Sequence, residues 1–345
     1  MQKEITGPLE LLKDDGTLTG EGWARKPWWN YDRRKVRAPW HRIKEWDYYA
    51  VISQDGGYGL TVTMSDLSFA ALVAVCWVDF KAGTYKQLDT IRLMTRGRMG
   101  FPPSSKSGDL YFSDKKMTVE FGIRDNKRII SVDVPSFESP YGDRGLKARL
   151  VLQQDPDMDS MVIATSWAEN RKAFYYNQKI NCMPAEGTVT MGTRIFTFSP
   201  TNSFGCLDWG RGNWTYKNTW YWGSASGTVN GKSLGWNIGY GFSDRSPASE
   251  NILFYEGKGH KLNQVTFHFD ANDFMKPWKF TSNDGRFELD FEPALDRESY
   301  FNLGLISSIQ HQVFGWYTGT VTLDNGTVIA LERFPGFAEE VRNRW

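Results

Sequence analysis

Short runs of β-branched and aromatic residues, many alternating apolar with polar, fill almost the whole chain. The first half carries them at Tyr48–Ser53, Gly59–Met64, Ala70–Asp79, Asp109–Phe112, Met117–Arg124, Arg128–Val134, Lys147–Gln153 and Met161–Ser166. The second half carries them at Thr188–Ser199, Thr219–Val229, Leu234–Gly241, Asn251–Glu256, Lys261–Phe269, Trp278–Thr281, Phe287–Phe291, His311–Leu323 and Thr327–Leu331. Breaks rich in Gly, Asp, Asn and Pro divide them, so that strands arrive roughly every 8–14 residues, the spacing of up-and-down barrels or sandwiches. Asn-Gly at 230–231 and 325–326 and Asp-Gly at 284–285 are hairpin signals, since such turns need positive φ. Only Trp167–Phe174 and Gly336–Trp345 read as helix. So many short strands expose edges unless each sheet closes on itself. The pattern therefore predicts an all-β protein of two side-by-side antiparallel β-barrels with few short helices. An N-terminal extension would occupy 1–35, the first barrel 36–180 and the second 181–345, with the seam near Phe174–Gly187.

Composition sharpens this picture. At 345 residues the chain is long enough for two domains. Aromatics make up 15% of it, with 15 Trp, and rings that carry polar handles suit barrel cores and aromatic-lined pockets. Basic and acidic residues nearly cancel, 41 against 40, and no basic stretch extends beyond 25–44. No nucleic-acid partner is expected from that balance. Cys76, Cys182 and Cys206 are odd in number and far apart, which argues against a disulfide framework or a zinc site. The N-terminus lacks an apolar signal region and no apolar run has the length of a membrane span. A cytoplasmic protein without stable membrane insertion is expected; the sequence leaves the oligomeric state open.

Chemistry-bearing residues concentrate in 205–261, where Trp, Tyr and Gly interleave with a few polar groups. In LDWGRGNW, Asp208 and Arg211 stand three apart among Trp209 and Trp214, residue types that can form a shielded, bidentate ion pair. That pair either closes a barrel end or anchors a ligand. NTWYWGSASG puts Trp220, Trp222, Ser224 and Ser226 on one strand face, and Asn237 shares parity with Gly235, Gly239 and Gly241. Glu250 and Asn251 open a strand, and a tight hairpin returns His260 and Lys261 toward the same barrel mouth. GSASG lacks the serine of a nucleophile elbow, the histidines are too scattered for a metal motif, and Cys182 reads as a structural thiol. Neither a metal nor a cofactor is expected. In RIKEWDYYAV, Glu45, Asp47 and Tyr49 take one face and Trp46, Tyr48 and Ala50 the other; FPPSSKSG at 101–108 reads as a mobile loop.

These motifs resemble a known family. KINCMP, LDWGRGNW, the W-x-W-G-S-A-S-G run, the N-x-G-x-G-F run, EN followed by G-x-x-HK, and the ending GFAEEVRNRW look like the domain of unknown function family 2804, from about Val36 to Trp345. More distantly, the Trp/Gly-rich run ending in Glu-Asn is similar to a lipocalin-like group that includes hydroxyneurosporene synthase and tocopherol cyclase. That resemblance implies two lipocalin-like barrels and a hydrophobic prenyl or lipid molecule as ligand. The residues themselves fit three functions. One is binding of a small, largely hydrophobic molecule in a barrel mouth by Asp208, Trp209, Arg211, Trp214, Trp222, Asn237, Asn251, His260 and Lys261. The second is cofactor-independent, acid-catalysed hydration, cyclisation or isomerisation, with Asp208 or Glu250 as the acid. The third is carbohydrate hydrolysis by paired carboxylates.

Overall fold

The computed structural model describes residues 2–302 and 304–345. Three short strands open the chain, β1 (Leu9–Glu10), β2 (Gly22–Ala24) and β3 (Trp29–Asn30), followed by two single-turn 3-10 helices at Arg33–Lys35 and Trp40–Arg42. The next strands are β4 (Ile43–Ser53), β5 (Tyr58–Asp66), β6 (Ala70–Asp79), β7 (Thr84–Leu93), β8 (Leu110–Ser113), β9 (Thr118–Arg124), β10 (Lys127–Glu138), β11 (Arg144–Gln153), β12 (Met161–Trp167), β13 (Asn170–Met191), β14 (Arg194–Phe198) and β15 (Ser203–Asn213). The last are β16 (Lys217–Val229), β17 (Lys232–Tyr240), β18 (Ile252–Tyr255), β19 (Lys258–Lys261), β20 (Val265–His268), β21 (Trp278–Ser282), β22 (Phe287–Asn302), β23 (Ser307–Thr322) and β24 (Val328–Arg344).

Two curled antiparallel sheets result, as the strand spacing predicts. The first runs β7-β6-β5-β4-β15-β13-β11-β10-β9-β8, with β2, β12 and β14 attached, and the second runs β19-β18-β17-β16-β24-β23-β22-β21-β20. Each encloses its own apolar core: Val51, Val62, Leu150 and Trp209 in the first, Trp236, Phe280 and Tyr317 in the second. The edges of the first sheet are drawn together where Thr90 donates to Asp114 at 2.8 Å. Asn230 and Gly231 have φ of 52° and 75° between paired Val229 and Lys232, the two-residue hairpin that Asn-Gly specifies. No helix among the described residues is long and apolar enough to cross a membrane. All three cysteines are buried and unbridged, and burial pushes the Cys182 thiol up to about 12.

Three expectations need correction. The first sheet extends through Asn213, so the chain changes sheets just before β16 and not at the expected 180/181 seam; β13 is a single strand through that point. The stretches read as helix, Trp167–Phe174 and Gly336–Trp345, lie in a β12–β13 hairpin and in β24. In the second stretch, pairing with β16 and β23 on both sides overrides the helical spacing of its charges. The loop at 101–108 is tied down: Pro102 O accepts from Arg211 and Ser105 O from Arg128.

The barrels abut through their outer faces. Tyr48, Ala50, Cys206, Trp222, Phe314 and Phe337 form one apolar cluster between them, and Trp23, Met161, Trp167, Tyr175, Trp214 and Phe242 belong to a second. The strands at this junction are therefore covered on both faces; β15 is buried at every position. At the bulge in β13, Asn181 Nδ2 crosses to Ser224 Oγ at 2.8 Å and Trp236 O at 3.0 Å, and Cys182 N–H donates to Ser226 at 3.0 Å. A Cβ at Gly235 would stand 2.5 Å from Cys182 Sγ, so glycine there permits the contact.

Candidate functional site

A cavity of about 200 Å³ lies between the two apolar clusters of the junction, outside both barrels. Strand parity builds it. Residues 46 and 48 of β4 and 220 and 222 of β16 point out of their barrels, while Tyr49 and Tyr221 point in. Two rows of cross-strand neighbours face each other. Tyr48, Asp208 and Lys179 cross β4, β15 and β13. Trp222, Glu339, Gln312 and Arg297 cross β16, β24, β23 and β22. Trp46, Trp214, Trp220, Tyr175 and Phe242 add the apolar wall, and half-buried Leu67, Ser308, Gln310 and Trp345 lie further along, toward one end of the charged pair of rows. Missing Cβ atoms make the fit possible. A Cβ at Gly210 would lie 2.0 Å from the Trp46 ring, and one at Gly239 would lie 2.2 Å from the Glu250 carboxylate.

Lys179 is the electrostatic hub. Its ammonium meets Asp208 at 2.8 Å and lies 3.9 Å over the Trp222 ring, while Asn177 donates to the other Asp208 oxygen at 2.6 Å. Two further carboxyls line the cavity with no cation in contact among the described residues. Glu339 accepts from Trp220 Nε1 at 2.7 Å and Gln312 Nε2 at 2.9 Å, and burial pushes it up to about 7. Glu250 takes one long hydrogen bond from Tyr175 at 3.4 Å on its carboxylate, and burial raises it as well. Desolvation disfavours the charged form of both. Lys44, at the same end as Trp345, donates to the carbonyls of His41 and Leu67 at 2.7 and 2.9 Å; burial lowers it to about 7. Among the described residues, no three His, Cys, Asp or Glu side chains gather as a metal set.

The structure distributes the candidate residues over several places. Asp208, Trp214, Trp222 and Glu250 line the cavity. Asn237 stands behind it, accepting from Trp222 Nε1 at 2.6 Å and donating to the Glu250 carbonyl at 2.8 Å. Asn251 closes the backbone of Gly239 at 2.7 Å. Trp209 and Arg211 turn inward to the first barrel: a three-residue separation in a strand reverses the face, so Asp208 and Arg211 form no pair. Arg211 instead bonds Asp47 at 2.9 Å and lies 4.0 Å over Trp209. Lys261 lines a separate outer cleft with Trp23, bonded to Ser249, Asn251 O and Leu262 O, and His260 pairs with Asp324 at 3.3 Å near the surface. These groups do not share one barrel mouth; the enclosed cavity belongs to the junction.

Sequence reasoning missed Lys179, Tyr175, Glu339, Gln312, Arg297 and Lys44 as cavity residues. Two had a readable signal. Glu339 shares strand parity with Phe337 and Val341, and Lys179 shares it with Asn181 in KINCMP. Arg297 and Gln312 come from strands with no local motif and meet only through pairing.

The fold and this junction define a double β-barrel protein whose cavity is built from both barrels. The chain belongs to the DUF2804 family, a domain of unknown function, whose pattern matches residues 2–345. A search of curated proteins finds no match. Among solved structures the fold is similar to CghA, at 10% identity, TM-score 0.55 and 88% coverage of each chain. CghA solved with Sch210972 gives the same identity and coverage with a TM-score of 0.52. Kievitone hydratase from Nectria haematococca covers 88% of each chain at 11% identity, with a TM-score of only 0.45.

Proposed function

We propose that the chain is an acid–base enzyme that hydrates, cyclises or isomerises a small, largely apolar molecule held in the cavity between its barrels. The observation that carries this is Glu339, a buried carboxyl brought to about 7 in an aromatic wall. A group with that affinity is both available as an acid and willing to release its proton at neutral pH. One lone pair on each Glu339 oxygen is used by Trp220 and Gln312, which fixes the group and leaves room for its proton. That proton goes to an unsaturated carbon or carbonyl oxygen of the substrate. Positive charge developing there is met by the rings of Trp46 and Trp220, since Trp222 already carries the Lys179 ammonium. Glu250 takes the proton given up by an adding water or hydroxyl, or by the adjacent carbon, and burial raises its affinity for that proton. Both Asp208 oxygens are already engaged, one by the Lys179 ammonium and one by the Asn177 amide, which removes it from the acid role and weakens the paired-carboxylate hydrolase reading.

A cavity near 200 Å³ exceeds the roughly 150 Å³ void that accepts benzene, so a ring with a substituent fits. The distant resemblance to hydroxyneurosporene synthase and tocopherol cyclase supports a hydrophobic small molecule, and a CghA structure solved with Sch210972 supports ligand binding on this fold. Binding without turnover is the competing reading. The test is extraction of the molecule that co-purifies with protein made in its own host, then its return to wild type and Glu339→Gln in heavy water. Deuterium entering the molecule with wild type, and not with the variant, supports catalysis. Unchanged molecule from both proteins reduces the function to binding.

A further inference from the structure

Three cations line the cavity, and two are accounted for. Lys179 is paired with Asp208. Lys44 has two carbonyl acceptors and sits low enough, at about 7, to shed its charge. Arg297 differs from both. A guanidinium stays charged throughout the physiological range. The residue is 8% exposed, and among the described residues no carboxylate comes within 4.0 Å of it. Its neighbours are neutral amides: Gln87 Oε1 accepts from Nε at 2.7 Å and Gln312 Oε1 accepts from Nη1 at 2.7 Å. They aim the fork without compensating its charge, and among the described residues Nη2 has no protein acceptor. Burying a charge without a counter-ion is costly, so such a group marks a place where a counter-ion arrives.

We propose that Arg297 is an anion anchor, and that the cavity takes a small aromatic or unsaturated carboxylate whose carboxylate group sits on Nη2. This rests on the cavity being the substrate site. A singly charged group fits better than a phosphate, because Asp208, Glu250 and Glu339 already line the same space. The apolar body then lies along the tryptophans, across the row that runs from Arg297 through Gln312 to Glu339. The arriving negative charge makes Glu339 hold its proton more tightly, so substrate binding itself loads the acid.

Calorimetric titration of the full chain with cinnamate and with its neutral isostere cinnamamide tests this. Cinnamate binds about tenfold tighter than the amide, the scale of one hydrogen bond to a charged group, and takes up protons at pH 7 when two buffers of different ionisation heat are compared. Arg297→Gln abolishes the preference, and Arg297→Lys keeps part of it. Equal binding of the two probes by wild type, or a preference that survives in Arg297→Gln, overturns the anchor and leaves the cavity's role standing. Binding of neither probe counts against both. The wild-type pair and Arg297→Lys decide the matter even where Arg297→Gln does not fold.

Discussion

Back to back across β15 lie two buried charged clusters. On the face toward the first barrel, Arg211 is fully buried and donates to Asp47, Trp46 O, Gly210 O and Pro102 O, while Glu45 takes Arg33 at 2.6 Å and Tyr31 at 3.0 Å. Cations and carboxylates match there, and the 101–108 loop seals the end. On the opposite face, Lys179 and Asp208 also match, but among the described residues Glu250, Glu339 and Arg297 remain without an ionic partner in contact and border open space. Alternating residues of one strand thus serve two ends. The lesson is that buried charge alone does not mark a site; unmatched charge beside a void does.

Changes to the two clusters should therefore have different consequences. Arg211→Met strands Asp47 and Glu45 inside the barrel and should destabilise the fold by about 3–5 kcal/mol in denaturant titration. Loss of stability under about 1 kcal/mol would erase the distinction. Glu339→Gln should not destabilise the fold at neutral pH, where it removes the cost of burying the ionised carboxylate, and should lower turnover about 10²–10⁴-fold, read on the molecule extracted with the protein. Gly239→Ala drives a methyl into the Glu250 carboxylate and should cost about 1–3 kcal/mol, with altered ligand affinity in calorimetry.

The pH response should be gentler and should separate the clusters. Burial raises Glu45 and Asp47 on one face and Glu250 and Glu339 on the other, and brings Glu339 to about 7. The folded chain therefore holds this proton between about 4.5 and 7 while the unfolded chain releases it, and stability falls as pH rises through that window. Glu339→Gln should flatten the upper part of that limb, which slopes by at most about 1.4 kcal/mol per pH unit for one group. Lys44, lowered from 10.5 to about 7, has the opposite sign: the unfolded chain binds the extra proton, so stability rises with pH above about 7. Lys44→Met should remove its share of that rise.

How much of this was legible depends on what a strand pattern encodes. Strand spacing and Asn-Gly turns carry fold class, and the alternation in β4 correctly separates Trp46 and Tyr48 from Glu45 and Asp47. Parity in β15 likewise puts Asp208 and Arg211 on opposite faces, although their proximity in sequence invites a pair. Where both faces are covered, the pattern loses its direction: nothing in β15 alone says which side is a core and which a cavity. The parity of Glu339 with Phe337 and Val341 becomes readable only once the segment is taken as a strand, because EEVRNR has the charge spacing of an exposed helix. Arg297 and Gln312 were hidden because cross-strand pairing assembles them from separate strands.

The crossing at Asn181 also sets how the molecule can yield. Its single amide ties β13 to two strands of the second barrel's wall, through Ser224 and Ala225 O of β16 and Trp236 O of β17, and all are dry. Parting the barrels there breaks several buried hydrogen bonds at once, each worth about 1 kcal/mol net and more when left unmade. The Trp345 and Ser308 end, half-buried, has less to lose. The two barrels then behave like covers bound along one spine, and traffic into the space between them is favoured at the fore-edge.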